Sequence, residues 1–91
     1  MFEIQYQQAV FENDIPKLPK TIKERIKSAI ETKLTTQPEV YGKPLRRSLK
    51  GYRKLRVGDF RIIFRIEDNK VKIFIIQHRS VVYKKAKIRL T

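Results

Sequence analysis

Phe2, Ile4 and Tyr6 alternate with Glu3 and Gln5, the period-two pattern of a half-buried strand. The period then lengthens. Phe11, Ile15 and Leu18 fall at i, i+4 and i+7, which predicts a short helix over about 8–18, kinked or ended by Pro16. Ile22, Ile26, Ala29, Ile30 and Leu34 repeat at helical spacing, with Lys23, Glu24, Lys27 and Glu31 on the other faces. A second helix is therefore predicted over about 21–35, with Thr21 as its N-cap. Thr36-Gln37-Pro38 ends it, and the stretch 36–51, with Gly42, Pro44 and Gly51, reads as a loop.

Three strands follow: Tyr52–Val57, Phe60–Ile66 and Val71–Gln77. Gly58-Asp59 and Asp68-Asn69 have the composition of two-residue hairpin turns. The tail Val81–Leu90 is short, basic and of helical character. The order β-α-α-β-β-β predicts an α+β fold, with two N-terminal helices packed on one face of a small antiparallel sheet. At 91 residues, the expectation is one domain over 1–91.

The two turns fix a register. Val57 faces Phe60, Arg56 faces Arg61, Leu55 faces Ile62 and Lys54 faces Ile63; then Arg65 faces Lys72 and Arg61 faces Ile76. One face collects Leu55, Val57, Phe60, Ile62, Phe64, Ile66, Val71, Ile73 and Ile75, the expected core. The other collects Lys54, Arg56, Arg61, Arg65 and Lys72 among Tyr52, Ile63, Phe74 and Ile76, with His78 continuing its parity. No acidic residue is expected on that active face. Like charges directly opposite one another cost a few tenths to about 1 kcal/mol. Two such pairs, Arg56/Arg61 and Arg65/Lys72, make sense if a phosphate reverses the sign by accepting bidentate bonds.

Charge placement supports that reading. The net charge is +13. Residues 1–41 hold six Lys/Arg and six Asp/Glu, whereas 42–91 hold sixteen Lys/Arg against Asp59, Glu67 and Asp68. Solubility needs far less, and a polyanionic partner for the second half is the better account. There is no cysteine and one histidine, so disulfide scaffolds and thiolate zinc sites are excluded and no metal site is expected. The N-terminus lacks a signal-peptide pattern and Ile73–Ile76 is the longest clean apolar run, so a cytoplasmic chain with no membrane contact is expected. Gln77-His78-Arg79-Ser80-Val81-Val82-Tyr83 follows the last strand; an imidazole such as that of His78 and a phenol such as that of Tyr83 are side-chain types that can move a proton. Taken alone, a lone histidine is more often structural and a lone tyrosine more often packing.

Two stretches resemble a known family. Leu49-Lys50-Gly51-Tyr52-Arg53-Lys54-Leu55-Arg56-Val57-Gly58-Asp59-Phe60-Arg61-Ile62-Ile63-Phe64-Arg65-Ile66 resembles the central signature of the RelE/ParE toxin superfamily. His78-Arg79-Ser80-Val81-Val82-Tyr83 resembles its C-terminal signature, and element order and length agree nearly end to end. The resemblance implies a RelE-like microbial RNase fold and a toxin held inactive by a cognate acidic antitoxin, a monomer alone and a hetero-oligomer with that partner. RelE-like members cleave mRNA in the ribosomal A site without metal or cofactor, by attack of a 2′-hydroxyl on the adjacent phosphate. The family's catalytic positions match Lys54, Arg56, Arg61, Arg79 and Tyr83, with His78 competing with Arg79 for one role. Arg56 and Arg61 would stabilise the developing charge, Lys54 would position the phosphate, and Tyr83 or His78 would move the proton. Arg53, Arg65, Lys72, Lys84, Lys85, Lys87 and Arg89 are expected to bind mRNA or rRNA phosphates. Some relatives carry a glutamate base. ParE-type members share the fold and act on DNA gyrase, which leaves gyrase inhibition, or a plain basic nucleic-acid-binding module, as alternatives.

Overall fold

The computed structural model describes residues 1–90. β1 (Glu3–Tyr6) leads into a helical segment that widens into a π turn at Val10–Asp14 and tightens into a 3₁₀ turn at Ile15–Lys17, where Pro16 needs no N–H partner. α1 (Lys20–Ala29) is prolonged by a π turn at Ile30–Leu34. Its N-cap is Pro19 without a side-chain bond, so Thr21 lies inside the first turn and is not the cap. The expected loop is more structured than its composition suggests, holding a one-turn helix α2 (Pro38–Tyr41), a short strand β2 (Lys43–Pro44) and a 3₁₀ turn at Arg47–Leu49. β3 (Arg53–Val57), β4 (Phe60–Glu67) and β5 (Lys70–His78) form the meander, and α3 (Val82–Leu90) closes the chain.

The architecture is α+β, with sheet order β1-β5-β4-β3-β2. The meander and β2 are antiparallel, but β1 runs parallel to β5, from Glu3 beside Lys70 to Tyr6 beside Ile73. The all-antiparallel sheet is thus corrected at its β1 edge. Alternation specifies which side of a strand is buried, not its direction, and the helical crossover after β1 permits the parallel pairing.

The β3–β4 register is the expected one, residue for residue: Val57/Phe60, Arg56/Arg61, Leu55/Ile62 and Lys54/Ile63. Arg65 also faces Lys72. Between them β5 carries a bulge. Phe64 pairs with Ile73 and Ile63 with Ile75, leaving Phe74 as the extra residue. Past it every side chain of β5 changes face. Ile75, expected in the helix-side core, lies on the opposite face; Ile76, expected opposite, enters the helix-side core. Arg61 faces Gln77, not Ile76, and His78 faces Phe60.

Burial therefore occurs on both sides of the sheet. Val10, Ile26, Ile30 and Leu34 from the helices pack on Leu55, Ile62, Phe64, Ile73 and Ile76. On the other face α3 folds back so that Val82 and Ala86 cover Ile63 and Ile75, with Leu49 beside them. Each fully buried aliphatic side chain contributes about 1.5–3 kcal/mol. α3 thus covers the part of this face around Ile63 and Ile75. Among the described residues no helix is long and apolar enough to cross a membrane.

Candidate nucleic-acid interface

The Gly58-Asp59 turn sets the site. Gly58 takes φ of +58°, a left-handed conformation glycine adopts without strain, and Phe60 re-enters opposite Val57. Leu55 and Val57 point into the helix-side core, so Lys54 and Arg56 must point the other way. Arg61 joins them from β4. Its Nη1 donates to the carbonyls of Gly58 (3.0 Å) and Phe60 (2.9 Å). The guanidinium is thereby anchored on the turn while Nε and Nη2 stay available to an anion.

α3 supplies the fourth member. Val82 is buried against the sheet, and this seats Tyr83, the next residue, over β3. Lys54 Nζ donates to the Tyr83 hydroxyl at 3.2 Å and lies 5.6 Å from the ring centroid. Since an ammonium only donates, the phenolic oxygen accepts and its own proton is free for another acceptor. Arg79 lies on the β5–α3 turn. Its backbone N–H donates to Asp59 O at 2.8 Å, and its exposed side chain is 3.8 Å from the Asp59 carboxylate. Lys54, Arg56, Arg61, Arg79 and Tyr83 thus stand around the β3–β4 turn and the start of α3.

Several expected site residues are elsewhere. His78 is on the Phe60 side of the sheet because of the bulge, its ring edge-on to Phe60 with centroids 5.6 Å apart. The Ser80 backbone N–H donates to His78 Nδ1 at 3.1 Å, and the Ser80 hydroxyl lies 2.8 Å from the same nitrogen. Arg53 shares the helix-side face with Phe64 and donates to the carbonyls of Glu39 (3.3 Å) and Gly42 (2.9 Å), closing the C-terminus of α2. Its Nη1 is thus engaged by the backbone rather than presented beside Lys54 and Arg56. Arg89 is likewise no free surface cation. It makes a bidentate bond to Asp14, at 2.7 and 3.0 Å, and donates to Phe74 O at 3.0 Å, the carbonyl exposed by the bulge.

Arg65 and Lys72 lie on the expected face, but so does Glu67, contrary to the expectation of no acid there. Arg65 Nε donates to Glu67 at 2.6 Å and Lys72 lies 2.9 Å from the same carboxylate. Hydrogen bonds from Lys72 and then Arg65 hold the Glu67 carboxyl below the ordinary carboxylate range. Arg65 also stacks near Tyr52 and Phe74, at 5.2 and 5.4 Å. This like-charge pair is relieved by a neighbour, whereas among the described residues Arg56 and Arg61 have no carboxylate in reach. The unneutralised cations therefore concentrate at the Tyr83 end of the face. Lys84 and Lys85 are exposed on α3, with Lys85 Nζ 3.5 Å from the Gln77 side chain, and Lys87 lies a turn further along.

Asp14 is the structural residue that sequence reading missed. It is 1% exposed, the one buried charged side chain among the described residues. It accepts from Ile76 N (2.8 Å), Gln77 Nε2 (2.7 Å) and Arg89. Its only local mark is an acid within an apolar helical stripe. Among the described residues no three His, Asp or Glu side chains gather to hold a metal.

Fold and site together define a small α+β protein whose sheet presents, at one end of a basic face, arginines without an acidic partner beside a tyrosine. The sequence model of the family described as ParE toxin of type II toxin-antitoxin system, parDE, matches residues 7–83. The chain belongs to this family of RelE/ParE toxins. Toxin RelE of Mycobacterium tuberculosis is 34% identical over 73 residues, 78% of this chain and 75% of the relative. Toxin RelG of the same organism is 34% identical over 74 residues, 79% of this chain and 85% of the relative. Among solved structures, the toxin–antitoxin complex RelBE2 from Mycobacterium tuberculosis superimposes with a TM-score of 0.80 at 31% identity, covering 86% of this chain and 98% of that one. The RelB–RelE complex of Methanococcus jannaschii shares the fold, with a TM-score of 0.70 at 19% identity over 89% and 96% of the two chains.

Proposed function

We propose that this toxin acts as a single domain in the cytoplasm, an endoribonuclease that cleaves mRNA in the ribosomal A site. The observation that carries the proposal is the 3.2 Å bond from Lys54 to Tyr83, on the face where Arg56 and Arg61 stand opposed without a carboxylate. A phosphodiester seated there meets two guanidinium groups, which stabilise the charge that builds on its oxygens. The 2′-hydroxyl attacks phosphorus, the bond to the 5′-oxygen breaks, and a 2′,3′-cyclic phosphate and a 5′-hydroxyl result. Tyr83 gives its proton to the departing 5′-oxygen while the Lys54 ammonium stabilises the phenolate; the proton of the 2′-hydroxyl passes to water. Arg79, Lys84 and Lys85 contact flanking phosphates, and Lys87 extends the basic surface of α3.

The relatives solved as RelBE2 and RelB–RelE are complexes with antitoxins. For this chain the corresponding partner is an acidic antitoxin that covers the same cations. A second reading has one specific support: the matching family carries the ParE name. It makes the chain an inhibitor of DNA gyrase. Mapping mRNA 5′ ends in cells expressing the chain separates the two. Cuts inside translated codons, abolished by co-expression of the neighbouring antitoxin gene, are expected. Growth arrest with intact mRNA and loss of supercoiling would replace the nuclease reading by the gyrase one.

A further inference from the structure

Residues 1–41 are neutral in sum, yet α1 does not distribute its charges evenly. Arg25 and Ala29 lie one turn apart on α1, Thr32 and Lys33 line one groove with them from the π turn, and Glu24 sits about 100° round the helix from Arg25. The basic side faces β3. Arg25, Ser28 and Ala29 from α1 and Thr32 and Lys33 from the π turn that prolongs it, with Arg56, Val57 and Gly58 from the hairpin, line a groove of about 380 Å³. β2 pairs only with Arg53 and Lys54, so β3 from Leu55 to Val57 is an open edge along this groove. Arg25 leans on the turn itself: Nη1 is 3.0 Å from where a side chain at Gly58 would begin.

Among the described residues no carboxylate lies within ion-pair distance of Arg25, Lys33 or Arg56. Arg25, Lys33 and Arg56 line one groove with no acidic partner, Lys33 Nζ lying 5.5 Å from the Tyr41 ring; like charges so gathered repel, and an oxyanion reverses the sign. Arg56 belongs to both this groove and the sheet-face site, so the two are continuous around the edge of β3. Charged and hydroxyl-bearing side chains make up most of the lining, and Ala29 and Val57 are its only apolar side chains.

We infer that the α1–β3 groove is a second phosphate-binding site, which takes the backbone of the RNA beyond the nucleotide held on the sheet face. Arg25 and Lys33 bind phosphates there without touching the reacting atoms. The inference rests on the RNA reading proposed above. The phosphodiesters can belong to the cleaved strand or to ribosomal RNA, and the chemistry is shared.

The test measures binding of fully 2′-O-methylated RNA, which the 2′-hydroxyl mechanism cannot cleave, by fluorescence anisotropy across a salt series. A trinucleotide fills only the sheet-face site; an oligonucleotide of about a dozen residues reaches the groove. The double variant Arg25→Gln, Lys33→Gln should leave trinucleotide affinity unchanged and weaken the longer RNA roughly tenfold, lowering its log–log salt slope by about 1–1.5. Arg25→Lys with Lys33→Arg should restore the slope. A second arm measures co-sedimentation with ribosomes free of mRNA, where a loss confined to this arm assigns the phosphates to ribosomal RNA. Wild-type behaviour of the double variant in both arms overturns the inference, and so does equal weakening of the trinucleotide. Arg61→Ala keeps the two readings apart. If it weakens both RNAs while the groove variant does not, only the groove falls. If the groove variant alone weakens binding, the sheet-face site falls instead.

Discussion

Arg89 reaches back 75 residues to close a bidentate ion pair on Asp14, at 2.7 and 3.0 Å. The carboxylate lies beside the stretch of β5 that β1 no longer covers, and it also accepts the Ile76 backbone N–H. One buried acid thus substitutes for a missing strand and ties down the helix that carries Tyr83.

Removing one partner of such a pair should be costly. Arg89→Ala leaves Asp14 buried with its charge only partly met, and destabilises the fold by about 2–4 kcal/mol, the lower end reflecting the partial exposure of Arg89. Replacing both residues by apolar ones should not restore stability, because Ile76 N–H would lose its acceptor. Urea denaturation of the single and double variants measures both effects, and a double variant as stable as wild type would contradict this role of Asp14.

Gly42 gives a packing prediction. A Cβ there would collide with the ring of Phe64 and lie 2.9 Å from Pro38 O. Phe64 is fully buried and cannot yield. Gly42→Ala should therefore destabilise the protein by about 1–3 kcal/mol. An unchanged denaturation midpoint would show that the ring has room to move.

The same features explain how far the sequence could be read. α1 was legible because five apolar positions keep one helical face, and β3–β4 because Gly58-Asp59 fixes a two-residue turn and so all four pairings. Reading failed at Phe74. A bulge leaves no trace in the alternation of Ile73, Phe74, Ile75 and Ile76, all apolar, and one inserted residue reverses Ile75, Ile76 and His78 together. It also did not reveal what holds Arg53 and Arg89 within the fold. A basic residue counted by composition as a phosphate contact carries no local mark that a carbonyl 11 residues away, or a carboxylate 75 away, has claimed it. Glu67 shares the parity of Arg61 and Arg65, and this alone puts it on the basic face.

Glu67 sets an acid-side dependence. Its folded carboxyl titrates lower than in the unfolded chain, because Lys72 and Arg65 donate to it. The folded state then binds fewer protons than the unfolded one as pH falls, and stability falls with it. The contribution is complete above the unfolded value of about 4.3 and is lost as pH drops through the lower folded value. Glu67→Gln should be less stable than wild type at neutral pH, with a gap that closes under acid and also under high salt. Denaturant midpoints of the two proteins across pH give the comparison, and a gap independent of pH would rule out the carboxylate as its source.

Tyr83 offers the sharpest division between chemistry and structure. Its ring packs beside the Ile63–Val82 cluster and near the Lys54 ammonium, and both contacts survive in phenylalanine. Only the hydroxyl that accepts from Lys54 is lost. Tyr83→Phe should therefore fold as wild type, within about 0.5 kcal/mol, while single-turnover cleavage of ribosome-bound mRNA slows by about 10²–10⁴-fold, the usual contribution of a positioned proton donor. Substrate affinity should hold, because the guanidinium groups that grip the phosphate are untouched. Lys54→Met should slow the reaction too, and combining it with Tyr83→Phe should cost less than the two effects added, since both act through one bond. Full additivity would mean that the 3.2 Å contact does not couple them. Undiminished cleavage by Tyr83→Phe would remove the tyrosine from the chemistry and return the search for the proton donor to Arg79 and the water around the phosphate.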